Sequence, residues 1–277
     1  MVKEIPQIAA QLYCVQDYLG TIKEFEFALD QLHQIGYRAV QYANRGVLAG
    51  DNPELSLVRA REAFERKGLV CSSAHRPWSA LRDNTDIEIE RLQTLGCSYV
   101  FLNFLEQPYD MHEADSYRRF SIDSVPVIQA LEDAGLQIGF HNHSHEFQRN
   151  GPDGETLFEF MVECFDERFL FEPDVYWISN GAIDPAEVLA RLRGRIPCVH
   201  VKDAQVIPVE GAGAFELAVQ TTYAPVGEGN LDWDAILSAG QKSGVKQWIV
   251  EQDEFRRDVF GSMESSYSFL KEKLASL

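Results

Sequence analysis

The chain has 277 residues, of which 45% are hydrophobic, and this suits one (β/α)₈ barrel or two smaller domains with a large core. Its formal net charge of −18 argues against broad binding to nucleic acid or to anionic membranes, because such binding requires basic surface. The sequence contains no run of about eighteen apolar residues, the length that a membrane span requires.

Short apolar runs alternate with segments of helical periodicity from one end of the chain to the other. The first predicted helix, residues 21–33, places Phe25, Leu29 and Leu32 at the three- and four-residue spacing of one buried face. Gly36 follows it, as a glycine commonly follows a helix. The predicted strands are residues 8–14, 39–42, 69–75, 99–104, 137–147, 169–174, 198–202 and 247–251. The predicted helices are residues 21–33, 53–67, 86–95, 115–134, 157–164, 185–192, 233–243 and 263–274.

Strict alternation of eight strands with eight helices predicts a parallel sheet closed into a TIM barrel, with residues 1–277 as a single domain. A doubly wound open sheet is the main alternative, but no GxGxxG motif follows the first strand. An insertion at residues 204–230 contains four glycines and is long enough to form a lid over a site; a disordered loop is the alternative.

Cysteine usage and the N-terminus bear on the compartment. The five cysteines are an odd number, widely spaced and without a CxxC pair, so neither a disulfide framework nor a Cys₄ metal site is expected. Residues 1–5 lack the charged-then-apolar pattern of a signal peptide. We therefore expect a cytoplasmic protein.

Polar side chains collect where the predicted strands end, and the C-terminal strand ends of a barrel are where catalytic groups lie. The fifth strand changes abruptly from apolar sequence to HNHSHEF at residues 141–147. The N-terminal strand ends have no comparable set. The polar residues at the C-terminal ends are His75, Asn103, His141, His143, Glu146, Glu172, Asp174, His200, Lys202 and Glu251.

The alternation of side chains along a strand predicts which of these residues face the lumen. Ile138 and Phe140 form the apolar set that faces the helices, so His141 and His143 face inward. Glu146 lies beyond the regular strand, and alternation does not orient it. The same reasoning places inside the barrel Glu172, Asp174, His200, Lys202 and Glu251.

Carboxylates and an imidazole that converge at one end of a barrel form a nitrogen and oxygen ligand set suited to Mn²⁺, Mg²⁺, Co²⁺ or Zn²⁺. Buried charges are costly, and a divalent cation would offset that cost. The alternative is a lumenal ion-pair network in which Lys202 and Arg76 neutralise the acids. Such a network explains why Asp174 is inside the barrel. It explains less well why His200, Glu251 and the histidine-rich stretch are found there together. We therefore predict a metal site.

Five motifs in the C-terminal half resemble those of the xylose isomerase-like TIM barrels, in particular the sugar phosphate isomerase/epimerase proteins. They are HNHSHEF at 141–147, FEPDVYW at 171–177, VHVKD at 199–203, VGEGNLDW at 226–233 and IVEQD at 249–253. The N-terminal half matches mainly in its alternation of strands and helices.

The resemblance implies one divalent metal ion bound by four side chains. Many relatives have the strand-five glutamate at the strand end itself, where this chain has His141. A ligand role for His141 in place of Glu146 therefore stays open. The implied ligands are Glu146, Asp174, His200 and Glu251.

The resemblance also implies metal-assisted removal of a proton next to a carbonyl, which gives an enediolate. Return of the proton to the neighbouring carbon is isomerisation, and return to the other face of the same carbon is epimerisation. Lys202 near a cation could have a lowered pKa and act as a base, or it could simply pair with Asp174 or Asp203. The candidates for base, proton relay and hydroxyl binding are Glu146, Glu251, His141, His143 and Lys202.

Four further residues are candidates for substrate contact: His75, Arg76, Asn103 and Trp177. Arg76 could bind a phosphate or carboxylate, with a salt bridge at the rim as the alternative. Trp177 could form a wall for a sugar ring, with core packing as the alternative. The sequence has no Gly-rich phosphate cradle of known type, which favours a sugar over a sugar phosphate.

The expected partner is a small carbohydrate, and a homo-oligomer is left open. A lyase or dehydratase acting on keto-sugars, 3-keto-glycosides or keto-inositols is the main alternative, because loss of a β-substituent starts from the same enediolate. An apurinic-site endonuclease of this superfamily would need more metal ligands and a basic face. A non-catalytic binding protein would not be expected to keep an intact ligand set.

Overall fold

The computed structural model describes residues 7–50, 53–209, 211 and 219–276. Ten strands are present in this part of the chain: β1 (Ile8–Gln11), β2 (Ala39–Tyr42), β3 (Val70–His75), β4 (Tyr99–Leu102), β5 (Gln137–His141), β6 (Leu170–Glu172), β7 (Cys198–Val201), β8 (Asp203–Pro208), β9 (Val219–Ala224) and β10 (Gln247–Val250).

Eight of these strands pair in parallel, in the order β6-β5-β4-β3-β2-β1-β10-β7. A parallel bridge between Asp174 and His200 joins the two outer strands, so the sheet is nearly closed. The prediction of a (β/α)₈ TIM barrel is confirmed. The remaining strands, β8 and β9, form an antiparallel hairpin within the segment predicted as a loop.

Eleven α-helices lie in the described residues: α1 (Ile22–Ile35), α2 (Leu57–Arg66), α3 (Trp78–Asp83), α4 (Thr85–Leu95), α5 (Ala114–Asp123), α6 (Val125–Asp133), α7 (Leu157–Cys164), α8 (Val175–Asn180), α9 (Pro185–Arg191), α10 (Trp233–Ser243) and α11 (Val259–Ala275). Helices α7 and α10 match their predicted bounds, and Phe25, Leu29 and Leu32 of α1 are buried as expected. None of the described helices is long and apolar enough to cross a bilayer.

The prediction of one helix over residues 115–134 is wrong, because α5 and α6 are separate helices that meet at Ser124. Pro126 lies in the first turn of α6. A proline has no backbone N–H and clashes with the preceding turn, so it starts a helix more readily than it continues one. Two short helices, α3 and α8, were not predicted, and both follow directly on a barrel strand end.

Apolar side chains pack in two layers, one outside the barrel strands and one inside them. The larger layer lies between the strands and the helices and includes Ile138 and Phe140, as the alternation predicted. A Cβ atom at Gly139 would lie 2.7 Å from the carbonyl oxygen of Leu170 and 2.8 Å from the Phe101 ring, so the lumen has no room for a larger residue there. The smaller layer plugs the lumen and consists of Ala9, Ala39, Tyr99, Phe101, Leu170, Cys198 and Ile249.

The hairpin is anchored to the barrel by Asp203, a fully buried carboxylate at its base. A Cβ atom at Gly229 would lie 2.2 Å from Asp203 Oδ1, so this position needs glycine. Asp203 therefore links the VHVKD and VGEGNLDW motifs. Its oxygens accept hydrogen bonds from the backbone N–H groups of Ala204 (2.8 Å), Gly227 (2.9 Å), Gly229 (3.0 Å) and Leu231 (3.4 Å) and from Trp233 Nε1 (2.6 Å).

Candidate functional site

A cavity of about 580 Å³ opens at the C-terminal ends of the barrel strands. Eight of the predicted site residues line it: His75, Arg76, Asn103, His141, His143, Trp177, Lys202 and Glu251. The other three, Glu146, Asp174 and His200, are fully buried behind these residues. Side chains that the sequence did not single out also line it, among them Gln11, Tyr13, Arg45, Tyr223 and Asp253.

Four buried side chains form the first group that could hold a metal ion. One ligand atom from each of His141, Asp174, His200 and Glu251 lies within 4.8 Å of the others. Nδ1 of His200 is 2.8 Å from Oε2 of Glu251, and Nε2 of His141 is 3.9 Å from Oδ2 of Asp174. The group combines two imidazoles with two carboxylates, a donor set suited to Mn²⁺, Co²⁺ or Zn²⁺.

The local fold explains how Asp174 presents one oxygen to this group. Asp174 is the N-cap of α8, and its Oδ1 accepts hydrogen bonds from the backbone N–H groups of Tyr176 (2.9 Å) and Trp177 (3.1 Å). Its own N–H donates to Oδ1 of Asn142 at 3.0 Å. Oδ2 is buried and has no hydrogen-bond partner among the described residues. Burial raises the pKa of Asp174 to about 6, although Lys202 opposes this shift. A buried carboxylate oxygen that makes no hydrogen bond in the described part of the chain and lies beside imidazole and carboxylate groups fits a bound cation.

Lys202 contributes a positive charge beside the first group. Its Nζ lies 3.2 Å from Asp174 Oδ2, 2.9 Å from Glu251 Oε2 and 2.9 Å from Asp253 Oδ2. Burial opposes the ammonium charge, but the three carboxylates outweigh it and raise the pKa of Lys202 above its usual value. In this arrangement the lysine is a cation at the cavity wall that pairs with three carboxylates. The ion pair with Asp174 that the sequence left open is therefore present.

Glu172 is a functional candidate that the sequence placed inside the barrel without a role. Its carboxylate lies 2.6 Å from His75 Nε2, 3.2 Å from His200 Nε2 and 3.4 Å from His141 Nδ1, and it accepts a hydrogen bond from Gln41 at 2.7 Å. Burial opposes its charge, but these histidines outweigh that effect and lower the pKa of Glu172. Contact with Nε2 turns Nδ1 of His200 toward Glu251, as a carboxylate beside a metal-binding histidine commonly does.

The imidazoles of the site carry different charges. Burial opposes protonation of His200, but Glu172 and Glu251 outweigh it and raise the pKa of His200 to about 10. Burial and Lys202 lower the pKa of His143 to about 4. Burial and the neighbouring His200 also lower the pKa of His141. The lowered pKa values of His141 and His143 favour the neutral imidazole, whereas the two carboxylates beside His200 favour its protonated form.

Glu146 belongs to a second group, apart from the first. Its partners there are His143 and His145, and one ligand atom from each of the three lies within 4.8 Å of the others. A 3₁₀ turn at His145–Phe147 follows β5 and carries Glu146 beyond the strand end, while His141 occupies the strand end itself. The geometry therefore favours His141 over Glu146 as the fifth-strand member of the first group.

Arg76 lines the cavity but is held by a salt bridge. Its Nε and Nη2 bind the Glu88 carboxylate at 2.6 and 2.7 Å, and both residues are buried rather than at the rim. Nη1 of Arg76 and Oδ1 of Asn103 have no hydrogen-bond partner in the described part of the chain. Both side chains therefore keep one polar atom available for a ligand in the cavity.

Aromatic side chains form one wall of the cavity. The Tyr223 ring stacks on Tyr176 with centroids 4.5 Å apart and meets Trp177 edge-on at 6.3 Å. Lys202 Nζ lies 5.4 Å from the Trp177 ring centroid and 5.9 Å from that of Tyr223. Tyr223 was missed because residues 204–230 were expected to form a lid or a disordered loop; the strand-favouring Thr and Tyr residues of β9 were the available signal. Residues 210 and 212–218 of the predicted lid lie outside the described residues.

Comparison with known proteins agrees with this architecture. The model of the family described as "Xylose isomerase-like TIM barrel" matches residues 29–272. Inosose dehydratase of Erwinia tasmaniensis is 26% identical over 163 residues, which cover 54% of this chain and 53% of that protein.

Two solved structures share the fold at low identity. A sugar phosphate isomerase/epimerase from Parabacteroides distasonis superposes with a TM-score of 0.73 and 19% identity over 98% of this chain and 96% of that one. A xylose isomerase-like TIM barrel protein from Mycobacterium smegmatis in complex with magnesium gives a TM-score of 0.70 and 16% identity over 98% and 97% of the two chains.

Proposed function

Because the chain belongs to the xylose isomerase-like TIM barrel family, we propose that it is a divalent-metal-dependent sugar isomerase or epimerase. The observation that carries the proposal is the convergence of buried ligand atoms from His141, Asp174, His200 and Glu251 at the base of the cavity, where Oδ2 of Asp174 makes no hydrogen bond among the described residues and has Lys202 as an ion-pair partner. The likeness to a sugar phosphate isomerase/epimerase supports a small carbohydrate as the substrate.

In this proposal Asp174, His200 and Glu251 hold the metal ion together with His141, and Glu146 is the alternative fifth-strand ligand. When bound, such a cation would polarise a carbonyl or hydroxyl oxygen and stabilise the negative charge of an enediolate. Mn²⁺ and Mg²⁺ are the first ions to test, since the Mycobacterium smegmatis protein was solved in complex with magnesium.

Glu251 is the proposed base. It lines the cavity, and its contacts with His200 and Lys202 are made through Oε2, so Oε1 is the oxygen that would accept the proton from the substrate carbon. Lys202, as a cation, would bind a substrate oxygen next to that carbon. Epimerisation also needs a proton donor on the opposite face. His75, which Glu172 orients at 2.6 Å, and His143 are the candidates.

The proposed chemistry predicts exchange of substrate hydrogen with solvent. We expect the Mn²⁺-loaded protein, incubated in D₂O with a panel of ketoses and 3-keto-glycosides, to introduce deuterium at the reacting carbon of at least one of them, as read by NMR. The Glu251→Gln variant should show no uptake, because an amide does not accept the proton. Absence of exchange with every member of the panel would overturn proton abstraction.

A dehydratase is the second candidate, because the chain resembles inosose dehydratase over about half of its length. Loss of a β-hydroxyl starts from the same enediolate, so the same groups would serve both reactions. Adding a keto-inositol to the panel separates them. New olefinic proton signals indicate dehydration, whereas a changed sugar with the same composition indicates isomerisation.

The aromatic wall predicts a role for the hairpin in substrate binding. We expect Tyr223→Ala to raise KM about tenfold, because aromatic stacking contributes roughly 1 kcal/mol or more and 1.4 kcal/mol is a factor of ten. Tyr223→Phe keeps the ring and should stay within about threefold of the wild type on the same scale. Thr221→Ala, an exposed position on the same strand, is the matched control. A KM unchanged in Tyr223→Ala would show that the wall does not contact substrate.

A further inference from the structure

The turn after β5 holds a group of ligand atoms that lies outside the first metal group, although the proposed function offers His143 as a proton donor and Glu146 as an alternative ligand. One nitrogen each of His143 and His145 and one carboxylate oxygen of Glu146 lie within 4.8 Å of one another. Glu146 is fully buried. Three atoms of the group have no hydrogen-bond partner among the described residues: Nδ1 of His143, Nε2 of His145 and Oε1 of Glu146.

The backbone fixes the carboxylate so that one oxygen is left over. Oε2 of Glu146 accepts a hydrogen bond from the backbone N–H of His143 at 2.8 Å. The remaining oxygen, Oε1, pairs with Nε2 of His145 at 2.9 Å. This pair leaves Nδ1 of His143 without a hydrogen-bond partner among the described residues.

A buried polar atom without a hydrogen-bond partner destabilises the folded state. One cation bound by the three side chains would satisfy all of these atoms at once. Two imidazoles and one carboxylate are also the ligand set of known zinc sites that keep a fourth position open. First-row transition ions prefer imidazole nitrogen, whereas Mg²⁺ prefers oxygen, so the donor set selects the former.

We infer that His143, His145 and Glu146 bind a second divalent transition-metal ion, of the Zn²⁺ type, in addition to the ion proposed at Asp174. The two groups share no residue. The His143 ring lies 5.1 Å from the ring of His141 and lines the cavity, so the second ion would lie beside the cavity wall. It would also fix the turn that follows β5.

Metal stoichiometry of the full-length protein tests this inference. Metal-free protein is titrated with Zn²⁺ by calorimetry, and the dialysed product is analysed for zinc. We expect about two ions per chain in the wild type and about one in either Glu146→Gln or Asp174→Asn. The double variant should bind none. His145→Gln, at a side chain that is 21% exposed, gives a second test if Glu146→Gln folds poorly.

His112→Gln is the matched control. His112 is exposed and its ring lies 6.0 Å from that of His145, but it pairs with Gln148 and is outside the group. It should retain both ions. A single ion in the wild type that is lost in both Glu146→Gln and Asp174→Asn would overturn the inference and assign Glu146 to the first site. Two ions retained in Glu146→Gln and His145→Gln would overturn it as well.

The outcome is independent of the proposed function. Two ions with no isotope exchange on any substrate would leave the second site in place and reject the isomerase. Isotope exchange by a protein that binds only the ion at Asp174 would support the isomerase and reject the second site.

Discussion

The Asp174→Asn variant should lose the first metal ion and reduce kcat/KM by about a thousandfold or more, since metal-ion catalysis contributes several kcal/mol and each 1.36 kcal/mol is a factor of ten. The substitution replaces a carboxylate with an amide, which removes the charge that would bind the cation. The other oxygen of Asp174 caps α8, and asparagine caps a helix as well as aspartate does. The fold should therefore persist while the site is lost.

Metal analysis, steady-state kinetics and thermal unfolding of the same preparation check this prediction. Asp174→Ala is the comparison, because it removes both the ligand and the helix cap. Its free energy of unfolding should be about 1 kcal/mol lower than that of Asp174→Asn. An Asp174→Asn protein that keeps both its metal content and its activity would rule out the first site as described.

Removal of Glu88 should lower the free energy of unfolding by about 3–5 kcal/mol, because it removes the carboxylate that binds the buried guanidinium of Arg76. The Glu88 carboxylate binds Arg76 at 2.6 Å and Arg91 at 3.2 Å, and the three residues are 2%, 4% and 6% exposed. Burial deprives the Arg76 guanidinium of the water that would otherwise compensate for the loss. Since Arg76 lines the cavity, this network also supports the wall of the site.

Urea denaturation of Glu88→Ala measures the change, and Glu90→Ala on the same helix is the control because Glu90 is exposed. The control should fall within about 0.5 kcal/mol of the wild type, as exposed substitutions usually do. If Glu88→Ala lowers the free energy of unfolding by less than about 1 kcal/mol, the network relaxes or admits water and contributes no more than a surface ion pair.

Sequence periodicity predicted the barrel well, because burial against two layers dictates which residues of each strand and helix are apolar. The same alternation oriented His141, His200 and Lys202, whose inward direction depends mainly on their own strand. It failed where local chemistry broke the pattern. Pro126 divides a helix whose apolar spacing continues across the break, and a hairpin lies where glycines indicated a loop.

The candidate site was only partly predictable, because its remaining features depend on neighbouring strands. Glu172 gains its importance from His75 and Gln41, which lie on strands β3 and β2, and no spacing within one segment reveals this contact. Whether Glu146 or His141 joins the first metal group depends on the turn after β5. Tyr223 reaches the cavity through the pairing of β8 with β9.

The anchorage of the hairpin by Asp203 has a consequence for how such a protein can change its selectivity. The base of the hairpin is fixed by the Asp203 carboxylate, which accepts hydrogen bonds from the backbone N–H groups of Gly227, Gly229 and Leu231. We therefore expect that residues of β9 can be exchanged while the candidate metal ligands stay in place. Exchanging the residues around Tyr223 while keeping Asp203, Gly227 and Gly229 would therefore alter one wall of the cavity as a separate unit.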